Sequence, residues 1–80
     1  MYRNISDHKY VVGTKQTLKA IKSGNATVVF LSKDADAEIK ERVKRNCKRH
    51  GVKLEKAASM KDLGKACNIS LPAAVACNIK

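Results

Sequence analysis

The residues of this 80-residue chain that could do chemistry fall into three groups. Asp34 and Asp36 stand two apart, and paired carboxylates can divide acid and base roles between them. Between an apolar run and a helical pattern, however, such residues more often satisfy the unpaired N–H groups of a helix start, and neither has an obvious catalytic partner. Cys47 and His50 have ligand spacing on a helix, and Cys67 and Cys77 could complete a zinc set. Yet Cys47 continues the apolar row of Ile39 and Val43, and the thiols lack paired two-residue spacing, so they read as reduced, buried core residues and no metal is expected. The third group is cationic. Lys15, Lys19 and Lys22 recur at i, i+4 and i+7, which places them on one face near the start of a helix. Unpaired N–H groups and a partial positive charge already favour an anion there, and lysines concentrate that potential. Gln16 adds an amide that both donates and accepts, as the edge of a base requires. Gly13, with Gly24 and Gly64 distant, builds no glycine loop of the nucleotide-binding kinds, so no cofactor is expected.

The elements that must position these residues follow from periodicity. Tyr10-Val11-Val12 is a short strand closed by Gly13, and a helix runs from Thr14, with Leu18 and Ile21 at helical spacing, until Gly24. Ala26 to Leu31 is continuously apolar and rich in β-branched residues, as a central strand covered on both faces must be. Asp34 or Asp36 caps the next helix, whose Ile39, Val43 and Cys47 recur every four residues, while Glu38–Arg42 and Glu41–Arg45 are set to pair on its exposed side. Gly51 stops it. Val52 and Leu54 alternate with Lys53 and Glu55 as in a half-exposed edge strand. Ser59 and Asp62 open a short helix carrying Met60, Leu63 and Ala66 or Cys67; Pro72 lies in a loop, and Ala73 to Ile79 is the last strand. Strands alternating with helices predict an α/β fold, a three-layer α/β/α sandwich with a mixed sheet of about four strands, in one domain spanning residues 1–80. Strand order is not legible.

Composition narrows the partner. Lys and Arg number 17 against 7 Asp and Glu, a formal net charge of +10, and a polyanion is the natural partner of such a surface. A domain of this length buries a modest core, so an enclosed catalytic cavity would compete with it for volume. The stretch Met1–Lys9 is polar, and no run approaches the roughly 18 apolar residues of a membrane span. The expectation is a cytoplasmic, monomeric protein with no membrane association and no enzymatic activity.

Gly13-Thr14-Lys15-Gln16-Thr17-Leu18-Lys19, the apolar strand ending near Asp34, Leu63-Gly64-Lys65-Ala66 and the loop Ile69-Ser70-Leu71-Pro72-Ala73-Ala74 together resemble the ribosomal protein L7Ae family, most closely its small bacterial branch. The likeness covers nearly the whole chain from about Tyr10. It implies an α/β/α sandwich that binds kink turns, RNA elements in which a bulge beside tandem sheared G·A pairs bends the duplex sharply. A kink opens the deep, narrow major groove that otherwise hides RNA base edges. By the resemblance, Gly13, Thr14, Lys15, Gln16 and Lys19 form the helix start that enters the groove, and Ile69, Ser70, Leu71 and Pro72 form the loop that covers an extruded nucleotide. Lys15 and Gln16 replace the Asn and Glu of the archaeal and eukaryotic pattern, and Asn68 and Pro72 stand where glycines are common. The implied partner is ribosomal RNA or a structured non-coding RNA. Two rival readings stay open: a nonspecific nucleic-acid binder using Lys40, Arg42, Lys44, Arg45, Lys48 and Arg49, and a small enzyme using Asp34 and Asp36.

Overall fold

The computed structural model describes residues 5–80; the first four residues, part of the polar Met1–Lys9 stretch, lie outside the described residues. After a short 3-10 turn at Ile5–Asp7, the chain runs β1 (Tyr10–Val12), α1 (Thr14–Lys22), β2 (Ala26–Ser32), α2 (Ala37–His50), β3 (Lys53–Ala57), α3 (Met60–Ala66) and β4 (Val75–Ile79). These are the elements that the periodicity predicts, with small shifts at their ends. The last strand starts at Val75 rather than Ala73, because the Ala73 N–H donates to the Met60 carbonyl at 2.9 Å instead of to a neighbouring strand.

The four strands form one sheet in the order β1-β4-β2-β3. β2 and β3 are parallel, joined by the α2 crossover, and β4 runs antiparallel to both β1 and β2. The sheet is therefore mixed, and β1, β2 and β3 all point the same way. Their carboxyl ends and the start of β4 share one end of the sheet, the end at which open α/β sheets place ligands. β3 is an edge strand, as its alternation predicted.

Alternation along β2 and β4 splits the core in two. Val29, Leu31, Val75 and Cys77 meet Ala20 and Ile21 of α1 and Val43 and Cys47 of α2 on one face. Phe30 and Ala76 meet Leu63 and Cys67 of α3, with Ile5, Ala57 and Ala73, on the other. Helices thus cover both faces and the fold is the three-layer α/β/α sandwich. Each fully buried side chain such as Ile21, Phe30 or Leu63 contributes about 1.5–3 kcal/mol.

One expectation fails. Among the described residues the recorded ion pair is Lys53 Nζ to Glu55 Oε2 at 3.5 Å; the pairs Glu38–Arg42 and Glu41–Arg45 do not close. An exposed pair gains little over two separately hydrated charges, so helical spacing alone does not bring it together.

Candidate nucleic-acid interface

Gly13 turns the chain from β1 into α1 with φ 109° and ψ 153°, a conformation that only glycine adopts without strain. Its N–H donates to the Val75 carbonyl at 2.8 Å, and its carbonyl accepts from the Thr17 N–H at 3.0 Å. The start of α1 is thereby fixed to the start of β4. Among the described residues no side chain caps it, and no acidic residue lies in its first turn. Its first N–H groups and the positive end of its dipole stay open.

Lys15, Lys19 and Lys22 line one open groove, with Thr14, Leu18 and Ser23 between them and Arg42 of α2 on the far wall. The predicted lysine face exists, and Arg42, assigned from sequence to a separate basic helix, belongs to it. The signal that could have placed Arg42 was the packing of α1 on α2, which one helix's periodicity does not carry. Gln16 is exposed but does not line this groove, since the next helical residue turns about 100° away. The lysines and the amide therefore share the helix start without sharing a face.

The second predicted motif lies at the same end of the sheet. After α3 the chain turns at Asn68, whose φ of 61° is left-handed; asparagine is among the few side chains that visit this region, which explains its standing where glycine is common. Among the described residues, Ile69 and Leu71 are the large hydrophobic residues left exposed, Leu71 at 68%. Ser70 and Pro72 are exposed beside them. A Cβ on Gly64 would collide with the Leu71 carbonyl, so this glycine lets the loop's backbone lie directly on α3. The Ile69 N–H donates to the Gly64 carbonyl at 3.1 Å, and the Tyr10 hydroxyl holds the Cys67 carbonyl at 2.9 Å. The loop is thus tied down along its backbone while its apolar side chains face outward. Lys61 and Lys65 of α3 flank it, forming one concave surface with Ile69, Ser70, Leu71 and Pro72. From sequence neither lysine is assigned to the interface, although Lys65 stands in the motif Leu63-Gly64-Lys65-Ala66 and the i, i+4 spacing on a short helix is visible.

Ser32 joins the centre of this end to the loop: its hydroxyl donates to the Ala73 carbonyl at 2.7 Å and its N–H to the Ala74 carbonyl at 2.9 Å. The two carboxylates beyond it hold helices. Asp36 Oδ1 accepts from the Glu38 N–H at 3.3 Å and caps α2, while Asp34 Oδ1 accepts from the Met60 N–H at 2.8 Å and ties the start of α3 to β2. Ser59 Oγ accepts from the Asp62 N–H at 3.0 Å, the cap expected there.

The three cysteines are free and buried. Burial pushes the Cys47 thiol up to about 11, with neighbouring Cys77 adding to the rise. Burial raises Cys67 as well, and Cys77 too, the latter partly offset by the Thr17 hydroxyl beside it. Among the described residues no group of three His, Cys, Asp or Glu side chains converges to hold a metal ion. Among them, too, no helix is long and apolar enough to cross a membrane.

Fold and site together define a class: a small α/β/α sandwich that presents cations, an open helix start and exposed apolar side chains at one end of its sheet. The chain belongs to the ribosomal protein L7Ae/L30e/S12e/Gadd45 family, whose model matches residues 4–80. It is 48% identical over 66 residues to the RNA-binding protein YbxF of Geobacillus stearothermophilus, covering 82% of this chain and 80% of that protein. An RNA-binding protein of Geobacillus sp. strain WCH70 is 46% identical over 72 residues, 90% of this chain and 88% of its own. Among solved structures, a 15.5 kDa RNA-binding protein of Giardia lamblia superposes with a TM-score of 0.86 at 33% identity, over 96% of this chain and 65% of that one. A Bacillus halodurans protein of unknown function has the same TM-score at 22% identity over 96% of this chain and 77% of its own, a likeness of fold alone.

Proposed function

We propose that this chain is a cytoplasmic, monomeric RNA-binding protein without enzymatic activity, which recognises kink turns in ribosomal RNA or in structured non-coding RNA. Family membership and the RNA-binding relatives support the RNA as partner. The observation that carries the finer reading is the convergence of two unlike surfaces at one sheet end: the open, uncapped start of α1 and the tethered loop bearing exposed Ile69 and Leu71.

Each surface answers one feature of a kinked RNA. The opened major groove presents guanine O6 and N7 acceptors, which Lys15 and Lys19 can meet with ammonium donors, while Gln16 offers donor and acceptor together. Gly13, having no side chain, lets the backbone of the turn approach closely, and Thr14 lies in the groove beside the lysines. An extruded nucleotide needs an apolar platform, which Ile69 and Leu71 supply, with Ser70 and Pro72 shaping the loop between and beyond them. Lysine fixes less geometry than a planar amide, so recognition leans on RNA shape as well as on base edges.

A nonspecific basic binder would need the cations of α2 to act as one surface, and they diverge: Arg42 faces the α1 groove while Lys40 and Lys44 turn toward β3. Competition separates the two readings. A labelled kink-turn RNA bound by the protein should resist displacement by unkinked duplex RNA at concentrations where unlabelled kink turn displaces it. Equal displacement by both competitors would contradict kink-turn recognition and leave the nonspecific reading in its place.

A further inference from the structure

Four lysines converge at the end of β2, outside the residues assigned above to the RNA interface. Lys33 from the turn after β2, Lys40 and Lys44 one helical turn apart on α2, and Lys56 on β3 surround a concave niche of about 130 Å³ floored by Leu31 and Ser32. Like charges gathered around a hollow repel one another, and none of the four closes an ion pair among the described residues. Lys40 is moreover held in place, its ammonium donating to the Lys33 carbonyl at 3.0 Å. A partly buried cation that a backbone acceptor draws toward the hollow loses less freedom when an anion binds there.

We infer that this niche is a second phosphate site of the same interface, gripping the backbone of the duplex stem that leads away from the kink. The inference rests on the RNA-binding reading above. The niche is smaller than the roughly 300 Å³ at which small-molecule sites begin, so it suits one compact anion and not a nucleoside. Its side-chain polar groups are ammonium donors, apart from the Ser32 hydroxyl that is spent on Ala73, so it selects charge and not base identity. Its place fits a stem. It lies over the ends of β2 and β3, whereas the α1 start is fixed to β4 beside β1, and adjacent strands are about 4.8 Å apart, so the two lie only about 10–15 Å from each other across one sheet end. A duplex anchored by its kink at the α1 start and running across this sheet end would pass over the niche.

The test is binding of two kink-turn RNAs, one with both stems kept minimal and one with a stem extended, at one salt concentration. Lys44→Gln combined with Lys56→Gln should bind the minimal RNA as the unaltered protein does and the extended RNA about tenfold more weakly, with a salt slope reduced by about 2 on the extended RNA only. Arg45→Gln combined with Lys48→Gln removes the same charge outside the niche and should treat the two RNAs alike. Equal weakening of both RNAs by the Lys44 and Lys56 double variant, or no weakening of either, overturns the niche. If the unaltered protein itself shows no preference for kinked RNA, the parent reading fails first and the niche falls with it, a result distinct from either of those.

Discussion

α1 and α2 lie side by side on one face of the sheet, each follows a strand that points to the same end, and both are rich in cations, yet they are built for different things. α2 carries more charge, with Lys40, Arg42, Lys44, Arg45, Lys48 and Arg49. Its start is closed by Asp36, and its cations leave the helix in diverging directions. α1 has three lysines, all on one groove, and its start is left open behind a glycine with no acidic residue in the first turn. Net charge sets how strongly a polyanion is attracted; the direction of donors and the absence of a cap set where it is read. On the proposed reading, the smaller, better aimed group is the site.

The largest combined effect is expected where the site is supported from behind. Gly64→Ala forces a methyl group against the Leu71 carbonyl, a backbone atom that cannot rotate away. The better helix propensity of alanine, up to about 1 kcal/mol, offsets part of an overpacking cost of about 1–3 kcal/mol, so Tm should fall while RNA affinity falls further as the loop is displaced. A variant with unchanged Tm and affinity would show that loop and helix are not in contact. Next, Lys19→Ala should cost roughly 1–3 kcal/mol on a kink turn and shrink the preference over straight duplex, because it removes a base-edge contact. If titrations showed the preference intact, the contrast between the two helices would be drawn in the wrong place.

Leu71→Ala should weaken the complex by roughly 1 kcal/mol, the low end of base-stacking contacts, and leave Tm unchanged because the side chain is 68% exposed. A matching loss of stability would make Leu71 part of the core. Smaller still, Arg45→Ala on the exposed side of α2, opposite the apolar row of Ile39, Val43 and Cys47, should weaken kinked and straight RNA equally by well under about 1 kcal/mol, as a screened surface charge does. The inner side of α2 answers to pH instead. The folded state holds the Cys47 thiol proton up to about pH 11, whereas an ordinary thiol releases it near 9.0. The unfolded chain loses that proton first, so the stability the buried thiol contributes falls as pH rises from about 9 to about 11. Thermal melts across that window should show a flatter decline for Cys47→Ala than for the unaltered chain, from a lower starting Tm; parallel curves would mean the thiol is not buried as described.

Much of this was legible from the sequence, and the reasons differ by element. β2 announced itself because Thr27, Val28 and Val29 stand in an unbroken apolar run, and α2 because Ile39, Val43 and Cys47 repeat every four residues while Gly51 ends it. Asp36 and Ser59 cap the helices they were expected to cap. Local chemistry decides such features. Strand order was not legible, since the pairing of β4 between β1 and β2 joins residues more than forty positions apart in sequence. The candidate site divides the same way. The groove lysines Lys15, Lys19 and Lys22 follow from one helix's period, but Arg42 joins them only through packing, and Lys61 and Lys65 meet the loop only because Gly64 lets it close down on α3. Of the two acids that could cap α2, Asp36 does so, while Asp34 holds the N–H of Met60 at the start of a helix 26 residues away, a contact that local sequence does not carry.

On the proposed reading, donors aimed from the start of α1, rather than total charge, produce recognition. It is tested most directly by measuring, at one fixed salt concentration, the affinity of the unaltered protein for a kink-turn RNA and for the same RNA with its sheared G·A pairs replaced by Watson–Crick pairs. The two RNAs carry the same number of phosphates, so diffuse attraction to +10 of net charge is the same for both. Binding to the intact kink turn should be at least about tenfold tighter, equivalent to about 1.4 kcal/mol or more of discrimination. Equal affinity for the two would contradict it.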